Sequence, residues 1–464
     1  MRLYDTMERA VVEMRPEREN TLTMYSCGPT VYRFAHIGNL RTFLMADLIC
    51  RAYRFHGIEA RQIQNITDVG HMTDELFDRG EDKMLVAAGV ENKSPQEIAS
   101  FYTAAFLEDV DAIGIRRAIL YPKASDHVPQ MIEIIAKLIE RGHAYAVDGH
   151  VYYDTASFPA YGRLSGNTLD ELQTGHRKEI GDPNKRHHSD FVLWMHAGPN
   201  RVIKFPSPWG DGFPGWHIEC SAMSIEHLGD RFDIHTGGED NVFPHHEDEI
   251  AQSDGAAGHQ VVRHWVHGAH LLSEGRKMAK SAGNFYDLRD LAAMGHAEPL
   301  AVRLLLLQSR YRAQMNFTRD ALGAAETTLA RWRRLVGDWS RGAAAPRSDL
   351  ESKYDTRFSE TIADDLDTTS AVALAAEVVS TPDLAPGAKA RLLARWDAFL
   401  GLNLQREAGE AAAVPTDIAE LLAQRQQARA AKDFAESDRL RGQIRGLGFD
   451  VEDTAEGQRT RPIG

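Results

Sequence analysis

The sequence predicts an α/β fold with a parallel sheet, because strand and helix patterns alternate near its start. Residues Leu22–Ser26 form a short apolar run that is typical of a buried strand. Apolar residues then recur every three or four positions, as they do on one face of a helix. The segment RQIQNITDV, residues 61–69, has the pattern of a second strand. A strand, a helix and a strand in this order indicate a βαβ unit, whose two strands are parallel.

The helix between these strands is marked by its apolar face and by the residue that ends it. Leu44, Leu48, Ala52 and Phe55 share one helical face. Gly57 follows them and is a typical stop signal. We therefore expect the helix to run from the turn after the first strand to the residues just before this glycine.

Later segments change their pattern twice, which predicts an insertion and then a helical part. Residues 98–142 have helical patterns, and short β-like runs follow from His143 to Pro208 around a polar segment. We interpret these runs as an insertion, because the α/β pattern returns at residues 212–253. A mostly helical region begins near Ala301. Two breaks in it are rich in small residues, as linkers are, and lie at residues 341–348 and 406–416.

Composition places the chain among folded proteins of a reducing compartment, and we expect the cytoplasm. Of its 464 residues, 43% are hydrophobic and 26% are charged, which is ordinary for a globular protein. Three cysteines cannot form a disulfide framework. The sequence shows neither the apolar core of a signal peptide nor a run of about 18 apolar residues that could span a membrane. A net charge of −14 disfavours a protein that coats nucleic acid, although a local basic surface could still contact phosphates.

Four residues far apart in the sequence are candidate metal ligands. Cys27 ends the first predicted strand, and Cys220 lies in the segment GWHIECSAM. His245 and Glu249 are four residues apart in FPHHEDEIAQS, so on a helix they share one face. Two thiols, an imidazole and a carboxylate suit Zn²⁺ better than Mg²⁺ or Ca²⁺. Long-range ligand sets have no fixed spacing, so an alternative stays open: both cysteines are small buried hydrophobes, and the histidine and glutamate are a solvated pair.

Two similar residues are weaker candidates. His246 has Ile250 four residues after it, and an isoleucine cannot ligate a metal. His245 is therefore the better candidate of the two histidines. Cys50 lies in the middle of the predicted helix, away from any such cluster of histidine and carboxylate residues, and we expect a structural role for it.

The segment HIGN precedes the predicted helix and is a candidate phosphate site. A helix N-terminus offers free N–H groups and the positive end of the helix dipole. Gly38 would let a ligand approach the backbone closely, and His36 could donate to a phosphate oxygen. An ordinary connection between a strand and a helix has the same pattern and stays open as the alternative.

Two glycine-bordered segments are further candidates for contact with a nucleotide. The motif KMAKS, residues 277–281, places two lysines three positions apart, and a basic loop of this kind could close over a triphosphate. Gly237 and Gly238 end the strand pattern FDIHTGG and could form the floor of a nucleotide pocket. A solvated surface turn and a tight turn are the alternatives.

Taken in order, these motifs resemble one family. HIGN, WHIECSAM, DIHTGG, FPHHEDE and KMAKS follow one another as they do in the cysteinyl-tRNA synthetases of class I. HIGN is similar to the first signature of that class, usually HIGH, and KMAKS to the second, usually KMSKS. The resemblance extends over nearly the whole chain and is most specific in residues 1–310.

The resemblance implies a Rossmann-like parallel-sheet catalytic domain with an inserted connective domain. A helical anticodon-binding domain and a small C-terminal module would follow it. The expected bounds are 1–125 and 211–310 for the two halves of the catalytic domain, 126–210 for the connective insertion, 311–405 for the anticodon-binding domain and 406–464 for the C-terminal module.

The resemblance also implies an activity and its partners. Proteins of this family convert L-cysteine and ATP to cysteinyl adenylate and pass the cysteinyl group to the 3′-terminal adenosine of tRNA(Cys). One Zn²⁺ at Cys27, Cys220, His245 and Glu249 would bind the substrate thiolate, so that serine is rejected without an editing domain. ATP would bind with Mg²⁺. We expect a monomer without membrane contact.

Roles in the pocket follow from the same resemblance. His36, Asn39, Lys277 and Lys280 would be catalytic, because they would stabilise charge on the ATP phosphates. ATP would also contact Gly38, Gly237, Gly238, Asp240, Met278 and Ser281. L-cysteine would contact Cys27, Gly28, Thr67, Trp216 and His235.

Four positions differ from the pattern that this family usually shows. Met195 stands where a lysine is frequent, Phe213 where an arginine is usual, Asn241 where a leucine is common, and Thr460 near a usual tryptophan. Two alternatives follow: a ligase that joins cysteine to a small amine, as in the mycothiol pathway, and a catalytically inactive synthetase-like RNA-binding protein. The extended C-terminal part argues against the first, and the intact signatures argue against the second.

A local basic cluster could contact tRNA phosphates and comprises Arg425, Arg429, Lys432, Arg439, Arg441 and Arg445.

Overall fold

The computed structural model describes the chain except for a few short segments. Within the described residues, no helix combines the length and the apolar character that crossing a membrane requires. The described ranges are 1–69, 72–74, 79–168, 182–198, 201–278, 284–341, 346–406, 416–431, 433–447, 449–454 and 457–462.

Strands and helices of the described residues are numbered along the chain. The strands are β1 Arg2–Asp5, β2 Ala10–Glu13, β3 Thr21–Ser26, β4 Glu59–Gln64, β5 Met72–Asp74, β6 Arg79–Asp82, β7 Ala144–Val147, β8 His150–Tyr153, β9 Phe191–His196, β10 Gly212–Pro214, β11 Phe232–Gly238, β12 Val262–Gly268, β13 Leu271–Ser273, β14 Arg276–Lys277, β15 Met315–Phe317, β16 Phe449–Thr454 and β17 Gly457–Pro462. The helices are α1 Ile37–Phe55, α2 Lys83–Glu91, α3 Pro95–Ala112, α4 Val128–Glu140, α5 Ile218–Leu228, α6 Glu247–Ala257, α7 Leu288–Ala293, α8 Pro299–Leu307, α9 Arg319–Ser340, α10 Asp349–Ala363, α11 Thr368–Ser380, α12 Pro386–Leu400, α13 Thr416–Ala430 and α14 Phe434–Gly446.

A parallel sheet lies at the centre of the described residues, with the strand order β12–β11–β3–β4. β3 pairs with β4 along its full length, and α1 connects the two strands. The predicted βαβ unit and the α/β fold class are therefore confirmed. α1 ends at Phe55 with His56 as its C-cap, directly before the predicted stop at Gly57. This helix is buried along most of its length because it packs on β4 and β3 and also on α10 and α12.

An antiparallel sheet with the order β10–β9–β8–β7 forms in the segment predicted as an insertion and extends to Pro214. Two of the departures from the family pattern meet here, because Met195 in β9 lies directly opposite Phe213 in β10. The guanidinium of Arg201 lies 3.7 Å from the ring centroid of Phe213. A lysine opposite an arginine would place like charges side by side, whereas this apolar pair does not. The two departures therefore lie side by side in one sheet.

The C-terminal module has a small core of its own. Ile418, Ile444 and Val451 form it, and they come from α13, α14 and β16. Arg425 in α13 is only 1% exposed, and its guanidinium donates to Gln458 in β17. A buried arginine cannot belong to a surface that contacts phosphates, so the prediction of that role for Arg425 is wrong.

Other members of the predicted basic cluster have different surroundings. Arg439 is exposed and pairs with Glu436 one turn earlier in α14 (2.6 Å). Arg441 and Arg445 are also exposed on this helix, and Lys432 lies outside the described residues. The basic surface predicted for this module thus depends on α14 more than on α13.

A buried arginine joins the parallel-sheet unit to the helical region. Arg303 in α8 is 0% exposed, and its Nη2 lies 2.9 Å from Oδ2 of Asp47 on α1. Its Nε donates to the carbonyl of Leu400 at the end of α12, and its Nη1 donates to the carbonyl of Gly114 (3.0 Å). Arg51, one turn further along α1, holds the same Asp47 oxygen at 2.7 Å. The charge and the donors of Arg303 are therefore compensated inside the protein.

Replacing this arginine tests how strongly it holds the two units together. Arg303→Met should lower the free energy of unfolding by about 3–5 kcal/mol, because Asp47 and several carbonyls lose a buried partner. Urea unfolding followed by circular dichroism measures the loss. The control Arg357→Met removes an exposed ion pair with Glu377 and should cost at most about 1 kcal/mol. Equal losses in the two variants would contradict the assignment.

Candidate metal and nucleotide site

The candidate site lies at the carboxyl ends of β3 and β11, where an open parallel sheet leaves a crevice for ligands. Cys27 follows β3, and its N–H donates to the carbonyl of Thr236 in β11 (3.0 Å). Gly237 and Gly238 end β11. Two neighbouring strands thus bring the first cysteine and the double glycine to one edge of the sheet.

The four predicted metal ligands meet at this edge. Cys27 Sγ and Cys220 Sγ are 4.0 Å apart, and Cys220 Sγ lies 3.8 Å from His245 Nε2. His245 Nε2 in turn lies 3.1 Å from Glu249 Oε1. All four donor atoms lie within 4.8 Å of one another. Tetrahedral Zn–S bonds of about 2.3 Å separate two sulfurs by about 3.8 Å, so the observed spacing fits zinc and is far too long for a disulfide.

The histidine and the carboxylate of this group come from the start of α6. That helix begins at Glu247. An irregular turn, Val242–His246, precedes it, in which Phe243 has extended backbone. Because the last residues of this turn already have helical backbone, the four-residue spacing still places His245 against Glu249.

Burial makes charge costly in this site unless a cation is present. The hydrogen bond between the two cysteines favours a Cys27 thiolate, but burial and the carboxylates of Glu249 and Glu219 outweigh it and raise the pKa of Cys27 to about 11. Burial also raises the pKa of Cys220 and of Glu249. Burial opposes charge on His245, yet hydrogen bonds to Cys220 and Glu249 raise its pKa well above the usual range. A buried divalent cation would favour both thiolates and would offset the carboxylate charge, so these residues fit a metal.

A second group of donor atoms shares two of these residues. Cys27, Glu249, His235 and His246 also lie within 4.8 Å of one another. Both histidines are fully buried, and burial lowers the pKa of each well below its usual value. The predicted group differs because Cys27, Cys220 and His245 all line a cavity. A metal in the predicted group would therefore have room for a further ligand, as catalytic zinc sites do.

The cavity beside the metal ligands has a volume of about 490 Å³. A chain of hydrogen bonds forms one wall: Gly28 N–H donates to Asn65 Oδ1 (2.7 Å), and Asn65 Nδ2 donates to Thr67 Oγ1 (3.1 Å). Thr67 Oγ1 then donates to Glu219 Oε1 (2.6 Å). A Cβ atom at Gly28 would lie 1.7 Å from the Asn65 carbonyl oxygen, so this position requires glycine. The Glu219 carboxylate gives the wall a negative charge that suits a cationic ligand group.

The residues expected to contact cysteine divide into a wall and a support. Cys27, Gly28, Thr67 and Trp216 line the cavity. His235 lies behind Cys27, with its Nε2 at 3.6 Å from the sulfur, and it is fully buried. This position favours support of Cys27 over direct contact with a bound amino acid.

The HIGN turn fixes the position of the proton on His36. This residue is the N-cap of α1, and its Nδ1 accepts hydrogen bonds from the N–H groups of Gly38 (3.0 Å) and Asn39 (3.2 Å). Asn39 Oδ1 accepts from the N–H of His36 (3.3 Å), which completes a capping box. Burial and the nearby Arg33 lower the pKa of His36 to about 4, so the ring is neutral at pH 7. A neutral ring that accepts at Nδ1 carries its proton on Nε2, which leaves one N–H donor at the cavity wall.

The second signature motif touches the first. A Cβ atom at Gly38 would lie 2.9 Å from Met278 Cε, so Met278 packs on the HIGN turn. Lys277 lies in β14, and its side chain is outside the described part of the structure. Lys280 and Ser281 lie outside the described residues. The roles expected for these three side chains stay predictions.

The double glycine and the turn after it form another wall. Gly238, Asp240 and Asn241 line the cavity. Asn241 Oδ1 accepts from the N–H of Gly238 (3.0 Å), so this departure from the family pattern closes the turn locally. Gly237 lies behind them, and a Cβ atom there would lie 2.6 Å from His246 Cε1. Packing of His246 is therefore one reason for glycine at this position.

Sequence reasoning missed several residues of the cavity wall, among them Asn65, Glu219 and Arg33. Asn65 lies two residues before Thr67, and Glu219 lies directly before Cys220. Arg33 is also on the wall, and its guanidinium lies 5.0 Å from the ring centroid of Phe285. A polar residue at the end of a predicted strand and an arginine close before HIGN are the signals that could have found them.

Known proteins are similar to this chain over most of its length. The family model described as tRNA synthetases class I (C) catalytic domain matches residues 13–327. The model described as cysteinyl-tRNA ligase anticodon binding domain matches residues 411–461. A cysteine–tRNA ligase of Thermus thermophilus is 42% identical over 99% of this chain and 98% of its own length. The cysteine–tRNA ligase of Salinibacter ruber is 42% identical over 98% of this chain and 97% of its own length.

A solved structure gives the same fold at much lower sequence identity. The Mycobacterium tuberculosis methionyl-tRNA synthetase in complex with methionyl-adenylate superimposes with a TM-score of 0.56 and 13% identity, over 82% of this chain and 90% of its own. At that identity the likeness shows the fold alone. The relatives matched along nearly their full length show more, and the chain belongs to the cysteine–tRNA ligase family, whose catalytic domain is that of a class I tRNA synthetase.

Proposed function

We propose that this chain is an ATP-dependent ligase that joins L-cysteine to tRNA(Cys), and that a zinc ion at the four predicted ligands selects the cysteine. One observation carries the proposal. Cys27, Cys220 and His245 line the same cavity as His36 and Asn39 of the HIGN turn. A thiol-binding site and a phosphate-binding turn thus face one space of a size suited to an aminoacyl adenylate.

Discrimination between cysteine and serine is the first task of this site. A hydrophobic pocket would separate two such similar side chains by only about 1–3 kcal/mol. Zn²⁺ at these ligands would accept the deprotonated thiol as a further ligand, and a serine hydroxyl deprotonates far less readily. The chain's own residues orient the rest of the substrate: Glu219 accepts hydrogen bonds from the α-ammonium group, and Trp216 forms an apolar wall.

Activation of cysteine needs positioned groups more than covalent help. The substrate carboxylate attacks the α-phosphorus of ATP, which binds with Mg²⁺, and pyrophosphate leaves. His36 donates its Nε2–H to a phosphate oxygen, while Lys277 and Lys280 stabilise the charge of the leaving pyrophosphate. Gly238 and Asp240 border the adenosine side of the cavity.

Transfer to tRNA completes the reaction. The cysteinyl group passes from the adenylate to the 3′-terminal adenosine. The anticodon-binding family model covers residues 411–461, so we place anticodon contacts in the C-terminal module as well as in the helical region 311–405. The enzyme acts as a monomer in the cytoplasm, where its three free cysteines stay reduced.

Variants that alter only one of the two donor groups test which group holds the metal. Cys220 and His245 belong to the predicted group, and His235 and His246 belong to the second group. Cys220→Ser and His245→Ala should each lower zinc affinity by more than about 100-fold, because loss of a ligand exceeds the 10- to 100-fold effect of outer partners. Competition with a chelator measures the affinity. His235→Gln alters only the second donor group and should stay within about 100-fold of the wild type. The reverse order of effects would assign the metal to the second group.

Two assays on the zinc-loaded protein test the reaction. It should catalyse cysteine-dependent exchange between ATP and pyrophosphate, and it should charge tRNA(Cys) with cysteine but not with serine. Exchange without charging would contradict the proposal. It would favour a ligase that passes cysteine to a small amine. Absence of exchange would favour an inactive RNA-binding relative.

Zinc binding should also strengthen as the pH rises from about 6 to 9. The pKa of both cysteines is raised in the metal-free protein, so below those values protons compete with the metal for the thiols. Release of two thiol protons and of the proton on His245, whose pKa is also raised, gives a slope of up to about 1000-fold in affinity per pH unit. Chelator competition at several pH values measures it, and Cys220→Ser should lower the slope by at least about 10-fold per unit, because one thiol proton is lost. An affinity that does not change with pH would contradict this account of the ligands.

A further inference from the structure

Behind the metal site, a line of hydrogen bonds connects the end of β1 with the sulfur of Cys27. Thr6 Oγ1 lies 2.7 Å from His267 Nδ1. His267 Nε2 lies 2.7 Å from His246 Nδ1. His246 Nε2 lies 3.1 Å from Cys27 Sγ. Each imidazole thus uses both of its nitrogens, and the line has no gap between the hydroxyl and the sulfur.

The surrounding structure holds this line in place. The N–H of Thr6 donates to the carbonyl of Trp265 (2.8 Å), which ties Thr6 to β12, the strand that also carries His267. His246 is 0% exposed and His267 is 8% exposed. Gly237 leaves room for the His246 ring, since a Cβ atom there would lie 2.6 Å from Cε1. In a place this well shielded from water, each ring nitrogen depends on its protein partner.

The chemistry of the sulfur sets the direction of every bond in the line. A cysteine that ligates a metal is a thiolate, which can only accept hydrogen bonds, so Nε2 of His246 carries the proton. A neutral imidazole has one donor and one acceptor nitrogen, so Nδ1 of His246 accepts from Nε2–H of His267. Nδ1 of His267 then accepts the hydroxyl proton of Thr6. Three donors in succession therefore point toward Cys27.

We propose that Thr6 and His267 are positioning residues for the metal site, which act through His246 to hold an N–H donor on the Cys27 sulfur. This inference rests on the proposed zinc site. An N–H bond to a thiolate is charge-assisted, and outer partners of this kind fix the orientation of a ligand and tune the metal that it holds. The bond also draws charge from the sulfur, which leaves a bound metal more receptive to the thiolate of the substrate.

Variants at the two outer positions test the proposal. Thr6→Val removes the hydroxyl at nearly constant size, Thr6→Ser keeps it, and His267→Phe removes both ring nitrogens. Zinc affinity, measured by competition with a chelator, should fall about 10- to 100-fold in His267→Phe. We expect a smaller fall in Thr6→Val and near wild-type affinity in Thr6→Ser. In the cobalt-loaded proteins, the thiolate-to-cobalt charge-transfer band should shift in Thr6→Val and His267→Phe and return in Thr6→Ser.

A matched control separates this effect from the general cost of losing a threonine hydroxyl. Thr361 in α10 is half-buried, as Thr6 is, and its hydroxyl donates to the carbonyl of Arg357 (2.7 Å). Thr361→Val should leave zinc affinity and the cobalt band unchanged.

The outcomes distinguish this inference from the function on which it rests. Wild-type zinc affinity and an unshifted cobalt band in Thr6→Val and His267→Phe would overturn the roles of these residues and leave the zinc site intact. A wild-type protein that binds no zinc would overturn both proposals together. If His267→Phe does not fold, the comparison of Thr6→Val with Thr6→Ser decides, because Thr6 is only half-buried.

Discussion

The close approach of two sulfurs in a place that water hardly reaches is the constraint on which the site depends. Pairing of β3 with β11 fixes Cys27, and α5 brings Cys220 to within 4.0 Å of it. Glu249 is buried beside them. Without a cation, burial favours the protonated thiols, so the fold maintains an arrangement that is poor for a metal-free protein. Such local conflicts are usually found where a protein carries out its function.

The predictable parts of this molecule are those that leave a local trace in the sequence. Apolar periodicity predicted the βαβ unit, and the order of the motifs pointed to the four residues that the structure brings together. Helical spacing set His246 aside, because it considers only neighbours on one helix. The structure instead places His246 against His267, which lies 21 residues later in the strand β12. Charge alone suggested an exposed Arg425, whereas the hairpin β16–β17 supplies it with a buried partner.

α1 relates the cavity to the rest of the molecule. Its first turn carries His36 and Asn39 on the cavity wall, and its middle carries Asp47, which Arg303 of the helical region holds. The helix is packed on both sides, so it has little freedom to move independently of either. α1 therefore connects the helical region with the phosphate end of the cavity through one continuous helix.

The double use of one imidazole affects how substitutions in HIGN are interpreted. His36 Nδ1 closes the first turn of α1, while its opposite nitrogen is the one free to serve a ligand. Alanine at this position would remove the helix cap and the ligand donor at once. A lower reaction rate in that variant could then arise from a frayed helix start alone. Asparagine, which caps helices well but is too short to replace the distal nitrogen, would separate the scaffold from the reaction.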